Sequence, residues 1–419
     1  MKKTSFFQTL TIGLSMVVAL ALPVAAEKIT FIGMLGSFQE ELQEAIDNFT
    51  RMHGIEVELI VPGGWPEVGE KVIVMTLAGT PPDVIYTQAS WFKEFADRGI
   101  LKNLNNMIAA DNLDMGLYPP RVIDFLTYKG AMLAMPTAVS PTALFINKDL
   151  FDQQGLDLPT ASWDSQEWTF DDYLHTAKKL TIDKDGDGRA DQFGTQSFGP
   201  ARLIGCWGLH WVDDERTTFL GALPDRIEAI NILASFWTDH GVVGGNFLNG
   251  TAAITINQGN FLNTLLSRRE GLFNWTLAPV PKAITRASQT GFHNLSIHRD
   301  SPNAEMAWEL IKYLAYDRDG NRLFTTAENR TPVQRYSAQL FLQRWYNLYP
   351  ASRVDVLIGA FPYIWEWKAI NGYNSDPIRV ALEGAITNVT RGLVSARTAL
   401  EEITPVINGR LREKPKEDL

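Results

Sequence analysis

Residues 143–159 read ALFINKDLFDQQGLDLP and residues 168–180 read WTFDDYLHTAKKL. Ala143-Leu144-Phe145-Ile146 is a continuous apolar run of the length of a buried strand, and the polar Asn147-Lys148-Asp149 breaks it. A helical turn through Leu150 and Phe151 follows. Gly155 suits the left-handed residue just past its end, and Pro159 prevents any continuation. Thr169 is placed to cap a second helix with Asp171 and Asp172 in its first turn, where carboxylates oppose the helix dipole favourably. Phe170, Tyr173, Leu174, Ala177 and Leu180 then share one face.

The same alternation fills the N-terminal part of the chain. Lys28–Gly33 is expected as a strand. Phe38, Leu42, Ala45, Ile46, Phe49 and Met52 fall on one stripe of a helix ending at Gly54. Ile55–Val61 is the next strand, and Gly63-Gly64-Trp65-Pro66 turns the chain into a helix through Leu77, closed by Gly79. A third strand over Pro81–Tyr86 precedes a helix over Trp91–Arg98. This β-α-β-α-β order predicts an α/β fold with a mostly parallel sheet flanked by helices. Ligands of such sheets bind beyond the carboxyl ends of the strands, which singles out Leu35–Phe38, Gly63–Trp65 and Thr87–Trp91.

Lys2 and Lys3 precede an apolar stretch from Phe6 to Leu22, and Val24-Ala25-Ala26 offers small residues for cleavage before Glu27. Residues 1–26 are therefore expected to be a secretory signal peptide, which places the mature chain in the periplasm; an uncleaved membrane anchor is the alternative. No later segment is apolar enough to span a bilayer. Cys206 is the only cysteine, so an intramolecular disulfide is impossible and no thiol stands near the signal to take a lipid.

Cleavage would leave roughly 393 residues, which favours two lobes over a single core. The formal charge is -10, from 38 basic and 48 acidic residues. Such a balance argues against nucleic acid and anionic membranes as partners. Twelve Trp and eleven Tyr are a rich aromatic supply; most serve packing, but aromatic faces also suit the apolar faces of sugar rings.

The order strand, Asn-Lys-Asp-Leu-Phe, Gly-Leu, Pro, Trp, helix over residues 143–180 resembles the extracellular solute-binding proteins of ABC importers, in particular the sugar-binding group that includes the maltose-binding protein. The likeness continues through NGTAAI at 249–254, Gly259-Asn260-Phe261, WTLAPVP at 275–281, GFHNLSI at 291–297, SPNAEMAWELIKYL at 301–314 and Arg330-Thr331-Pro332. It implies two α/β lobes joined by crossing strands near Ser140, Gly291 and Arg330, with the solute held in the cleft by hinge closure. The N-terminal lobe would comprise residues 27–138 and 292–329, and the C-terminal lobe residues 139–291 and 330–419. The implied partners are a small-molecule sugar and the permease and ATPase subunits of an importer, the permease being contacted directly by a monomeric binding protein. A polyol or glycerol phosphate is an alternative cargo.

Carried over position by position, the resemblance puts Leu35, Gly36, Ser37, Phe38, Trp65, Thr87, Gln88, Ser90 and Trp91 on the first lobe's side of the cleft. At the crossings stand Val139 and Ser140, then Gly291, Phe292 and His293, then Arg330. From the second lobe come Asn260, Phe261, Trp365 and Trp367. Arg202, Trp207 and Trp211 fall in a segment where the likeness is weak. Ser140 replaces an acidic residue of the maltose-binding protein, so that protein's hydroxyl contacts do not transfer. Beside a crossing, Arg330 has the chemistry to pair with a carboxylate or phosphate on the solute.

Asp183, Asp185, Asp187 and Asp191 have the spacing of positions one, three, five and nine of a calcium loop, with Gly188 at position six and the Arg189 carbonyl at position seven. Position twelve is Gly194, where a bidentate Glu is usual. No cofactor is expected beyond a structural Ca2+ in this loop, and the alternative is an exposed acidic turn between the helix ending at Leu180 and the strand near Gln192. Enzymatic motifs are absent: there is no P-loop, no H-E-x-x-H, and no nucleophile elbow. The chain is accordingly expected not to be an enzyme, with a secreted glycosidase as the rival class, since two carboxylates can be brought together by any fold.

Overall fold

The computed structural model describes residues 27–34, 39–268, 272–368 and 374–413. The predicted signal peptide and Leu35, Gly36, Ser37 and Phe38 lie outside the described residues. In chain order the strands are β1 Glu27–Ile32, β2 Ile55–Ile60, β3 Val84–Gln88, β4 Thr127–Tyr128, β5 Ala131–Met132, β6 Met135–Asn147, β7 Phe193–Thr195, β8 Ala252–Gln258, β9 Trp275–Ala278, β10 Ser288–Ile297, β11 Thr331–Pro332 and β12 Ile364–Trp365.

One sheet runs β2-β1-β3-β10-β6-β8-β7, with β11 and β9 also paired to β6 and β12 to β10; β4 and β5 form a separate hairpin. β1 is parallel to both β2 and β3, as the alternation requires. Helices α1 (Gln39–His53), α2 (Trp65–Leu77) and α3 (Ala89–Asp97) make the connections. The sheet as a whole is mixed, unlike the mostly parallel expectation. β10 is antiparallel to β3 and to β6, and β6 is antiparallel to β8 and β9. Each antiparallel pairing in this sheet involves β6 or β10, and β6 runs from one core, at Met135 and Val139, into the other, at Ala143, Leu144, Phe145 and Ile146.

Two hydrophobic cores flank this crossing. One gathers β1, β3 and α1–α3 around Phe31, Phe49, Phe92 and Phe324; the other gathers Phe145, Phe151, Tyr173, Trp211, Phe236 and Trp345. All thirteen residues of β6 are buried, because β10 and β11 flank its first half and β8 and β9 its second. At Pro136 and Pro141 only β10 is in register. A residue without a backbone donor is tolerated where the second neighbour is absent.

Local elements follow the sequence chemistry closely. Thr169 accepts a hydrogen bond from the Asp172 backbone N–H at 3.2 Å, and the Asp172 carboxylate accepts from the Thr169 backbone N–H at 2.8 Å, a complete capping box. Gly155 has φ of 61°, the left-handed conformation that ends the preceding helix.

Candidate ligand-binding cleft

Where the two cores face each other, a cavity of about 350 Å³ opens on the crossing strands. One wall follows the carboxyl ends of β1, β2 and β3: Met34, Trp65 at the start of α2, and Gln88, Ala89 and Ser90 where β3 passes into α3. The floor is Gln289, Thr290, Gly291 and His293 on β10, with Arg330 just before β11. The opposite wall carries Gln258, Asn260, Arg202, Trp367, Asp376 and Arg379. A second cavity of about 560 Å³ shares Arg202, Gln258 and Asn260 and continues along Ser197–Leu203 to Glu383 and Arg391, so the two form one elongated groove. A larger cavity of about 730 Å³ is lined chiefly by apolar side chains, among them Tyr118, Ile123, Leu342, Ile358 and Phe361, and offers few directional groups for a hydroxylated solute.

Register and packing fix the floor. A β-bulge between His293 and Asn294 shifts the pairing of β10 with β6, the kind of irregularity that re-aims a side chain at a site. The His293 ring lies 5.6 Å from Trp65 and 6.1 Å from Tyr86, centroid to centroid, and Trp65 lies 5.3 Å from Tyr86. Trp65 is thus held by its neighbours while remaining part of the cavity lining. On the other side the Arg202 guanidinium sits 5.6 Å from the Trp367 ring centroid, and Gln258 donates to Gln289 at 3.1 Å.

The charged groups divide into two sets. Arg202 and Arg379 both pair with Glu383, at 3.1 and 2.9 Å, and Arg379 also pairs with Asp376 at 3.1 Å. Beneath the floor, Tyr86 donates to Glu328, and Thr137 donates to the same carboxylate oxygen at 3.3 Å. Burial pushes the Glu328 carboxyl up to about 7, against the hydrogen bonds and the Arg330 charge that draw it down. Burial likewise holds His293 neutral, with Arg330 adding to the downward shift.

Of the residues expected at the cleft, the lining includes Trp65, Gln88, Ser90, Asn260, Gly291, His293, Arg330 and Trp367. Six others sit elsewhere. Thr87 is wholly buried and donates to Asn294 at 2.9 Å. Trp91 packs on Phe95 and against Gly69, where a Cβ would lie only 2.0 Å from its ring. Ser140 lies under the floor, at the far end of a 3.5 Å contact from Arg330. Phe261 packs edge-on to Phe145, Phe292 stacks on Phe125 at 3.7 Å, and Trp365 stacks on His210 and closes over Gly205. Strand alternation explains Phe292, whose neighbours Gly291 and His293 face the cavity.

Among the residues not anticipated, Gln258, Gln289 and Thr290 adjoin Gly259-Asn260 and Gly291, so the ends of the same strands could have pointed to them. Asp376 and Arg379 carry no such signal. They reach the cleft only because the helix Ser375–Thr390 packs there.

The acidic loop stands apart from the cleft lining. Carboxylate oxygens of Asp183, Asp185 and Asp187 lie within 4.8 Å of one another, all exposed. Asp183 accepts from the backbone N–H of Gly186 and Gly188 at 2.7 and 2.8 Å, which holds its carboxyl below the usual range. Asp191 is turned to the Lys184 backbone N–H at 2.7 Å and is not one of the cluster. Gly194 cannot be the missing Glu: a Cβ there would lie 2.1 Å from the Ala177 carbonyl oxygen. The three-carboxylate cluster fits a hard cation in kind, though the loop's own N–H groups already serve part of it.

Comparison with known proteins places this geometry. Relatives include a putative binding protein of Brucella abortus, 24% identical over 324 residues that span 73% of this chain and 74% of that one. The ABC substrate-binding protein Lmo0181 of Listeria monocytogenes, solved in complex with cycloalternan, is 20% identical with a TM-score of 0.75 over 92% of this chain and 99% of its own. UgpB of Mycobacterium tuberculosis, solved with glycerophosphocholine, is 18% identical with a TM-score of 0.75 over 92% and 99%. The model of the bacterial extracellular solute-binding proteins matches residues 36–318. This chain therefore belongs to the bacterial extracellular solute-binding protein family.

Proposed function

We propose that the chain captures a sugar, a mono- or oligosaccharide, in the cleft between its two cores and delivers it to the importer's permease from the periplasm. The observation that carries this reading is the composition of the cavity: Trp65 and Trp367 among the amides and hydroxyls of Gln88, Ser90, Gln258, Asn260, Gln289 and Thr290. Aromatic faces accept the C–H face of a pyranose, and amides both donate to and accept from its hydroxyls. Walls contributed by two cores give a solute more contacts when the walls approach. Binding energy can thereby drive closure about β6, β10 and β11, the strands that join the lobes near residues 138/139, 291/292 and 329/330. The groove's extension toward Glu383 gives room for more than one ring.

A thermal-shift screen over mono-, di- and trisaccharides tests this, because a ligand that binds only the folded state stabilises it by RT ln(1 + [L]/Kd). A sugar that raises the melting temperature and loses affinity in Trp65→Ala and Asn260→Ala is the expected result. Binding that is unchanged in both variants would place the site elsewhere.

A further inference from the structure

Resting on the solute-binding reading, we propose that the solute also carries a compact anionic group, a carboxylate or a phosphate ester, seated against Arg330 on the cleft floor. The chain is acidic overall, with a formal charge of -10, and its general field repels anions. The described lining of the elongated groove inverts that sign: Arg202, Arg330, Arg379 and Arg391 stand against Asp376 and Glu383. Arg202 and Arg379 are matched by those two carboxylates. Arg330 is not. No direct ion pair holds it among the described residues: its Nη1 contacts the Ser140 hydroxyl at 3.5 Å, its charge acts on the neighbouring Tyr86 and Glu328, and its Nε is buried without an acceptor.

A half-buried guanidinium with donors to spare is costly unless something completes its shell. The carboxyl behind it, Glu328, receives Tyr86 and Thr137 on one oxygen, while its other oxygen is buried without a donor and the group feels the Arg330 charge. The open side of Arg330 is the cavity. His293 is a second, independent observation there: it is 4% exposed, lines the same cavity, and its Nδ1 has no hydrogen-bond partner. A neutral imidazole can donate one N–H to an anion oxygen without adding a second buried charge. A carboxylate or phosphate oxygen pair would meet the Arg330 fork bidentately and accept from His293. A neutral sugar hydroxyl would leave the guanidinium offset by Glu328 alone, a carboxyl that burial pushes toward its neutral form.

The test uses the mature chain and matched pairs of probes: D-glucose with D-glucuronate, D-galactose with D-galacturonate, and glycerol with sn-glycerol 3-phosphate, plus maltose as a neutral disaccharide. Calorimetric titration should find at least one acid or phosphate bound on the order of tenfold or more tightly than its neutral parent. The preference should weaken at high salt, vanish in Arg330→Gln and survive in part in Arg330→Lys. The sugar-acid and phosphate arms identify which anion is meant. If Arg330→Gln fails to fold, the salt dependence of the parent protein carries the test. Neutral parents bound as tightly as their anions, or an anion preference untouched by Arg330→Gln, would overturn this inference and leave sugar capture standing. Binding by no member of the set would count against both.

Discussion

The two walls of the cleft are built from different chemistry. The wall at the ends of β1, β2 and β3 carries no charged residue among its described members: Met34, Trp65, Gln88, Ala89 and Ser90. The facing wall carries Arg202, Asp376 and Arg379, bound together through Glu383. A neutral aromatic wall gives contact area and hydroxyl hydrogen bonds, with little cost of desolvation. A wall of paired charges is already satisfied within itself and holds its side chains in place for a solute to touch. Arg330, outside that set of pairs, lies between the walls on the floor. Affinity should therefore reside chiefly in the neutral wall and discrimination in the floor.

The largest expected effect breaks this comparison from below. Glu328 ties β3, through Tyr86, to β6, through Thr137, and its carboxyl stands at about 7 against an ordinary 4.5. Because the folded value is the higher one, the native state binds this proton more tightly than the unfolded chain. The group's contribution is full below about 4.5 and is lost as pH rises through about 7, on the order of 3 kcal/mol in all. Denaturant melts of Glu328→Gln and the parent should show the variant gaining relative stability from pH 5 to pH 8. A constant difference across that range would show that Glu328 titrates normally.

Next in size, Trp65→Ala should weaken solute binding by roughly 1–3 kcal/mol while leaving the fold intact, since Trp65 lies tilted against Tyr86 and His293, is only partly buried and lines the cavity. An affinity loss no larger than that of Gln88→Ala would contradict the aromatic role of this wall. Thr169→Ala sharpens the contrast from outside the cleft: loss of the capping box should cost about 1 kcal/mol of stability with no change in affinity. The smallest effect belongs to the acidic loop, where a bound Ca2+ is proposed. Calcium should raise the melting temperature by a few degrees at most and EDTA should reverse it, without altering solute affinity. An Asp185→Ala variant that melts like the parent with and without calcium would leave only a solvated acidic turn.

Much of this was legible because short-range periodicity and capping are local. The stripe from Leu42 to Phe49, the strand–helix alternation through Asp97, and the Thr169 cap are each decided within a few residues. The extent of β6 was not: Pro136 and Pro141 argue against a central strand, and only the staggered ends of β11 and β8 make room for them. Site residues at strand ends, such as Gln88 and His293, follow from topology. Phe261, Trp91 and Trp365 did not, because an aromatic side chain suits a core as well as a sugar face, and Gly69 and Gly205 make close pockets for two of them. Asp376 and Arg379 come to the cleft from more than forty positions beyond Arg330, a contact set by packing alone.

The central claim, that one solute is gripped by both walls, is tested most directly by solution scattering of the mature protein with the probe that stabilises it most. Saturating solute should reduce the radius of gyration in the parent protein, because shared contacts favour the approach of the two walls. An unchanged radius with the solute demonstrably bound would contradict the account.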